Sequence, residues 1–214
     1  MNENVNKSMN KHSPLALCLG ATWEQLSPTL QAHYQGGSVR EVGTLDVEFP
    51  AWMRPLLWAL QWLGALVHRS APQVHTVVER HTQDAQGTRQ TWKRTLTYAD
   101  GQVLRFDSLW VLEQAHTPDA THAHLVEYVN PWLGLQIAPH VRGAALHYEG
   151  VCLVLRLGHW RWHLSERWLL GHTVIDEHAI DERHFAMDFR LIHPWFGQVF
   201  RYAGRFSVDQ NTTK

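Results

Sequence analysis

The sequence predicts a mainly β protein with N-terminal helices: an antiparallel barrel or curved half-barrel, like those that bind lipids, covered by an apolar helix. Three observations carry this expectation. From Val74 onward the chain runs as one strand-like segment after another, about eight or nine at roughly 10–15-residue spacing, as in small sandwiches and barrels. Several of these segments are apolar on both faces; in GVCLVLRLGHW, Val151, Leu153, Leu155 and Leu157 alternate with Cys152 and Val154. Finally, Trp52–His68 (WMRPLLWALQWLGALVH) is apolar on nearly every face and is the one element suited to covering a barrel mouth.

Residues 1–13 and 209–214 read as polar tails, the first as disordered, and residues 14–208 as one β-rich domain. In GATWEQLSPTLQAHYQGG, Trp23, Leu26, Leu30 and His33/Tyr34 fall at helical spacing and Gly36-Gly37 stops the pattern. It is a short amphipathic helix, or two turns broken at Ser27-Pro28. SVREVGTLDVEF alternates strictly, with Val39, Glu41, Gly43, Leu45 and Val47 on one face, and Pro50 ends it. The 52–67 segment follows as a helix that tolerates Pro55 in its first turn. Its spacing places Trp52, Leu56, Leu60 and Leu63 inward, Arg54 and Gln61 towards water, and Trp58, Trp62 and Ala65 on a flank. Beyond it, VHTVVERHTQD and TRQTWKRTLTYAD flank a turn at Ala85-Gln86-Gly87, and Asp100-Gly101 marks a hairpin into QVLRFDSLWVLEQ. HAHLVEYVNP, AALHYEGVCLVLRLGHWRWHL, GHTVIDEHAIDERHFAMDFRLIHPWFG and QVFRYAGRFSV continue the meander. NPWLG and HPWFG turn corners.

Composition excludes several classes. With 19 basic and 20 acidic residues the formal charge is −1, unlike the basic domains that bind nucleic acid. Two cysteines build no disulfide framework. The 52–67 segment is shorter than the roughly 20 apolar residues of a spanning helix, and PLALCLGA is short for a signal peptide. The expected location is cytoplasmic, with peripheral contact at the inner membrane through 52–67 as an addition.

No catalytic signature stands out: no G-x-S-x-G elbow, no H-E-x-x-H and no G-x-G-x-x-G following a strand. Sixteen histidines supply pairs such as His122/His124 and His159/His163, but such pairs arise by chance at this abundance, and neither a metal site nor a cofactor is expected. Asp176–His184 (DEHAIDERH) reads as a solvated loop. Glu79, Asp107, Glu127 and Asp188 are the carboxylates able to face inward, each with cross-strand arginines to pair with. Trp58, Trp62, Trp110 and Trp160 are the expected aromatic wall of a ligand site. Arg156, Arg190, Arg201 and Arg205 would supply guanidinium forks for an acidic head.

Arg183–Phe206 (RHFAMDFRLIHPWFGQVFRYAGRF) and Leu19–Tyr34 (LGATWEQLSPTLQAHY) resemble a bacterial domain-of-unknown-function family. That family occurs alone or fused C-terminally to NAD-dependent epimerase-like or saccharopine-dehydrogenase-like domains. The matching features are Leu19-Gly20, Trp23, His33, the His193–Gly197 hairpin and Tyr202-Ala203-Gly204. The resemblance brings no activity, cofactor or catalytic residue, and implies at most a partner role beside an oxidoreductase or epimerase. The expected function is binding of an apolar or amphipathic small molecule, lipid or fatty-acid-like, in the barrel. An accessory subunit of an oxidoreductase or epimerase and a protein-interaction module are the alternatives.

Overall fold

A computed structural model describes residues 12–113, 123–168 and 170–208. Ten antiparallel strands close into a barrel. β1 (Ser38–Glu48), β2 (Ala71–Thr82), β3 (Arg89–Thr97), β4 (Val103–Glu113), β5 (His124–Asn130), β6 (Leu133–Arg142) and β7 (Ala145–Leu157) pair in chain order. β9 (His172–Ala179), β10 (His184–His193) and β11 (Gly197–Val208) complete the wall, with β11 against β1 from Glu41↔Val208 to Glu48↔Arg201. The choice between a closed barrel and an open half-barrel is thus settled for closure. After β1 the wall holds nine strands, within the eight or nine expected from Val74 onward, and the His172–His193 stretch folds back on itself as β9 and β10. Asp176–Ala179, expected in a loop, belongs to β9.

The wall has one irregular seam. β7 pairs with β9 only from Leu146↔Glu177 to Glu149↔Val174; its outer half pairs instead with β8 (Trp160–Leu164), a hairpin that extends past the barrel. Glu166, buried in a 3₁₀ turn over Glu166–Trp168, fills the gap. Its carboxylate accepts from the Thr173 amide (3.1 Å) and hydroxyl (2.8 Å) and lies 2.7 Å from His172 Nδ1. Gly150 makes room, since a Cβ there would stand 2.1 Å from Glu166 Oε2.

One end of the barrel is plugged by the N-terminal segment. Ser13 caps α1 (Pro14–Leu19), accepting from the Ala16 amide at 3.2 Å. Ser27 caps α2 (Pro28–Tyr34) in the same way, and the Ser27-Pro28 break separates it from a 3₁₀ turn over Gly20–Gln25. α2 buries Leu30, His33 and Tyr34.

The other end, the mouth, is covered by the β1–β2 connection as expected, although its helix is shorter. A 3₁₀ turn (Ala51–Met53) leads into α3 (Arg54–Trp62). The tighter first turn advances the inward face by one residue. In this first part Met53 and Leu57 are buried and Trp52 and Leu56 exposed, while Leu60 is buried and Leu63 faces the lumen as expected. Asn130 Nδ2 donates to the Leu63 carbonyl at 2.9 Å and ties the segment to the β5–β6 turn. Among the described residues, no helix is long and apolar enough to cross a membrane.

The apolar character of both faces of β5–β7 has a local cause. On the outer face Val126, Tyr128 and Val154 form a small second cluster; Arg156 lies 5.3 Å over the Tyr128 ring, and the Tyr128 hydroxyl donates to Glu113 at 2.7 Å. The main core occupies the barrel interior and its two covers.

Candidate ligand-binding lumen

The interior divides into two joined chambers. Under the mouth lies an apolar chamber of about 240 Å³, lined by Leu60, Leu63 and Leu66 from the α3 segment, Leu153 and Leu155 from β7, and Phe189 and Leu191 from β10. Below it a space of about 50 Å³ is lined by Tyr34, Trp92, Trp110, Tyr148 and Phe185. Phe106, Glu127 and Tyr202 line both and stand at the junction.

Period-2 alternation puts a polar layer among these aromatics. Glu41, on the inward face of β1, is fully buried and receives Arg80 Nη2 at 2.9 Å and His33 Nδ1 at 2.7 Å on one oxygen. Burial pushes the Glu41 carboxyl up, but Arg80 and His33 outweigh it and hold the group below its ordinary value. Burial lowers His33 to about 4, against the pull of Glu41, so the imidazole is neutral and donates from Nδ1. At the junction Arg94 Nη2 meets Glu127 at 3.1 Å, Arg94 Nη1 donates to Ser108 at 2.8 Å, and Ser108 donates to Glu127 at 2.6 Å. Arg94 also lies 5.1 Å over Trp92 and 4.9 Å over Phe106.

Glu177 is the third acid of the layer. Burial raises its carboxyl to about 8, and the Tyr34 hydroxyl, 2.9 and 2.8 Å from its two oxygens, only partly offsets this. Glu177 is protonated at neutral pH. The polar layer is therefore charge-balanced, Arg80 against Glu41 and Arg94 against Glu127, with His33 and Glu177 uncharged; Glu166, which also lines the upper chamber, meets His172 and Thr173. Among the described residues, the indole N–H groups of Trp92 and Trp110 and the Tyr148 hydroxyl are buried with no hydrogen-bond partner.

Of the residues expected at the site, Trp110 lies in the lower chamber. Trp58 and Trp62 stand on the exposed side of α3. Trp160 shares the lumen-side face of the β7–β8 hairpin but projects beyond the wall. The arginines do not converge inward. Arg190 pairs with Asp176, and Arg201 pairs with Asp188 (2.9 Å) and Glu48 (3.5 Å); Arg205 and Arg156 are exposed. The cause is parity: Phe200, Tyr202 and Phe206 take the inside of β11, which sends residues 201 and 205 outside. The interior guanidiniums are Arg80 and Arg94. Among the four carboxylates, only Glu127 faces the lumen; Glu79 pairs at the surface with Arg40 and Asp188 with Arg201.

Glu41 was legible as a polar residue on an otherwise apolar strand face; Glu177 fell in the stretch expected as a solvated loop and was missed, its one signal being the Thr173, Ile175, Glu177 alternation. His122 lies outside the described residues, and among those described no three potential ligands gather for a metal.

The sequence matches the family described as Domain of unknown function (DUF4166) over residues 26–206. That span runs from just before α2 of the plug to the inward Phe206 of the last strand, so the match covers both chambers. Among curated proteins none matches. The chain belongs to the DUF4166 family of domains of unknown function.

Proposed function

We propose that the lumen binds an amphipathic small molecule with an uncharged head, its apolar part in the upper chamber and its head at the Arg94–Glu127 junction. The apolar chamber ending on a charge-balanced polar layer supports this best. An apolar cavity of roughly 150 Å³ already admits a benzene ring, and this one is larger. An ionised head would add an unpaired charge to a low-dielectric site, which is costly. A carbonyl or hydroxyl head instead offers an acceptor to the unpartnered indole and phenol donors. This favours an alcohol, ketone or ester over the free fatty acid that an interior arginine fork would select.

Calorimetry with a matched set (1-decanol, decanoate and decyltrimethylammonium) tests the reading. Saturable binding of decanol, with both ions at least about tenfold weaker, is the expected result. Decanoate binding best would overturn the head-group assignment. No binding by any of the three, with no co-purifying amphiphile in native mass spectra, would overturn the binding function itself. Leu135→Trp, which puts an indole into the upper chamber, is expected to abolish decanol binding at a stability cost of about 1–3 kcal/mol.

A further inference from the structure

We infer that the mouth end of the barrel is a membrane-docking surface that takes a bilayer containing anionic lipid. Eight of the eleven tryptophans are exposed, and all eight sit at this end, on segments far apart in sequence. α3 and its leading turn carry Trp52, Trp58 and Trp62 outward, while the inner side of the same segment lines the upper chamber. The β10–β11 turn adds Trp195 and Phe196. Trp52 meets Phe196 at 5.2 Å, and Trp195 meets Trp168 of the seam at 5.2 Å, so these segments form one continuous aromatic rim. Across the mouth the β7–β8 hairpin shows its lumen-side face to solvent, with Trp160 and Trp162 stacked 6.4 Å apart. Trp62, Trp195 and Trp160 are 77%, 72% and 69% exposed, which excludes a core role for these rings.

Charge selects the occupant. Segments 51–62, 156–168 and 193–197 carry four arginines, of which Arg161 is paired with Glu113 and Arg54, Arg156 and Arg167 are exposed, against a single carboxylate of their own, the buried Glu166. Of the acids elsewhere near this rim, Glu48 and Asp100 are paired with Arg201 and Arg69, and Asp46 accepts from the Gln73 amide. The surface is thus aromatic and locally basic on a chain whose formal charge is −1. A second copy of the same face would set arginines against arginines. An anionic bilayer complements both features: indole rings favour the headgroup level, and arginines are drawn to the negative surface. The mouth would then open towards the phase that holds amphiphiles, although docking itself needs no ligand in the lumen.

Flotation of the full chain with vesicles tests this, using phosphatidylcholine alone and phosphatidylcholine with roughly one third phosphatidylglycerol. The chain is expected to float with the anionic vesicles and about tenfold less with the neutral ones. Trp58→Ser/Trp62→Ser and Trp160→Ser/Trp195→Ser should each reduce flotation about tenfold while keeping the wild-type thermal midpoint, and Arg54→Ser/Arg167→Ser should remove most of the preference for anionic vesicles. Absence of flotation on both vesicles would overturn the inference. So would a vesicle-free dimer that the tryptophan variants convert to monomer, which would make the occupant a second copy. Because flotation is read without decanol, failure of the lumen to bind leaves this result standing, and the reverse.

Discussion

Burying Glu41 and Arg80 together makes each the other's counter-ion, with both side chains fully shielded from water. Replacing such a pair by apolar groups can be neutral, but removing one partner leaves a buried charge unmatched. Glu41→Gln is therefore expected to cost about 3–5 kcal/mol in urea unfolding. Glu177 gives the opposite kind of signature. Its carboxyl titrates near 4.5 in an unfolded chain and at about 8 when folded, so between those values the folded state holds the extra proton. Its contribution to stability is complete below the lower value, falls as pH rises and is gone above about 8. His33 opposes this on the acid side: neutral when folded down to about 4 but protonated below 6.5 when unfolded, it lowers stability as pH falls through that window. Glu177→Gln should thus gain stability relative to wild type between about pH 5 and pH 8.5, in thermal midpoints followed across that range. A difference that stays constant with pH would show that Glu177 is ionised in the folded chain. These residues were only half legible in the sequence. Alternation put Glu41 on the apolar face of β1, but which arginine meets it depends on the β1–β2 register, a property of two strands at once.

At the scale of elements, the lid was visible as an apolar run and its inward face was not. One 3₁₀ turn at Ala51–Met53 moves the buried set from Leu56 to Leu57, a shift that residue spacing in a regular helix does not encode. Leu57→Ala should therefore cost about 2–5 kcal/mol and Leu56→Ala under about 1 kcal/mol, by denaturant midpoints at constant slope. Equal costs would mean the lid sits in the other register. The second half of β9 was missed for a related reason. Its outward residues, Asp176 and His178, are charged or polar, and its inward Glu177 adds a third polar group, so the run looks solvated although it lines the core. The two Pro-Trp-apolar-Gly corners also differ. Gly197 supplies the left-handed conformation of its turn (φ 67°), whereas Gly134 lies past its turn, where a Cβ would clash with the Tyr128 ring at 2.8 Å.

At the scale of the whole molecule, barrel closure joins β1 to β11 across nearly the full sequence and turns an amphipathic meander into a container with two unlike ends. One end is plugged by α1 and α2; the other carries the lid, the rim arginines and the exposed indoles. The two proposed interactions therefore differ in their physics and separate in one experiment. Binding of an uncharged amphiphile inside the lumen creates no new ion pair, so its stabilisation should be nearly independent of salt. At about 100 times its dissociation constant, such a ligand contributes roughly 2.7 kcal/mol, which for a chain of this size raises the thermal midpoint by about 5–11 °C. The bilayer contact adds arginine–headgroup attraction, which is screened over roughly 8 Å at physiological ionic strength and over about 3 Å in molar salt. Raising salt from low to molar should leave the decanol-induced shift within about 1 °C of its starting value while stripping the chain from anionic vesicles. A decanol shift that collapses with salt would mean that the head group is recognised through charge, and would overturn the uncharged-head assignment at the Arg94–Glu127 junction.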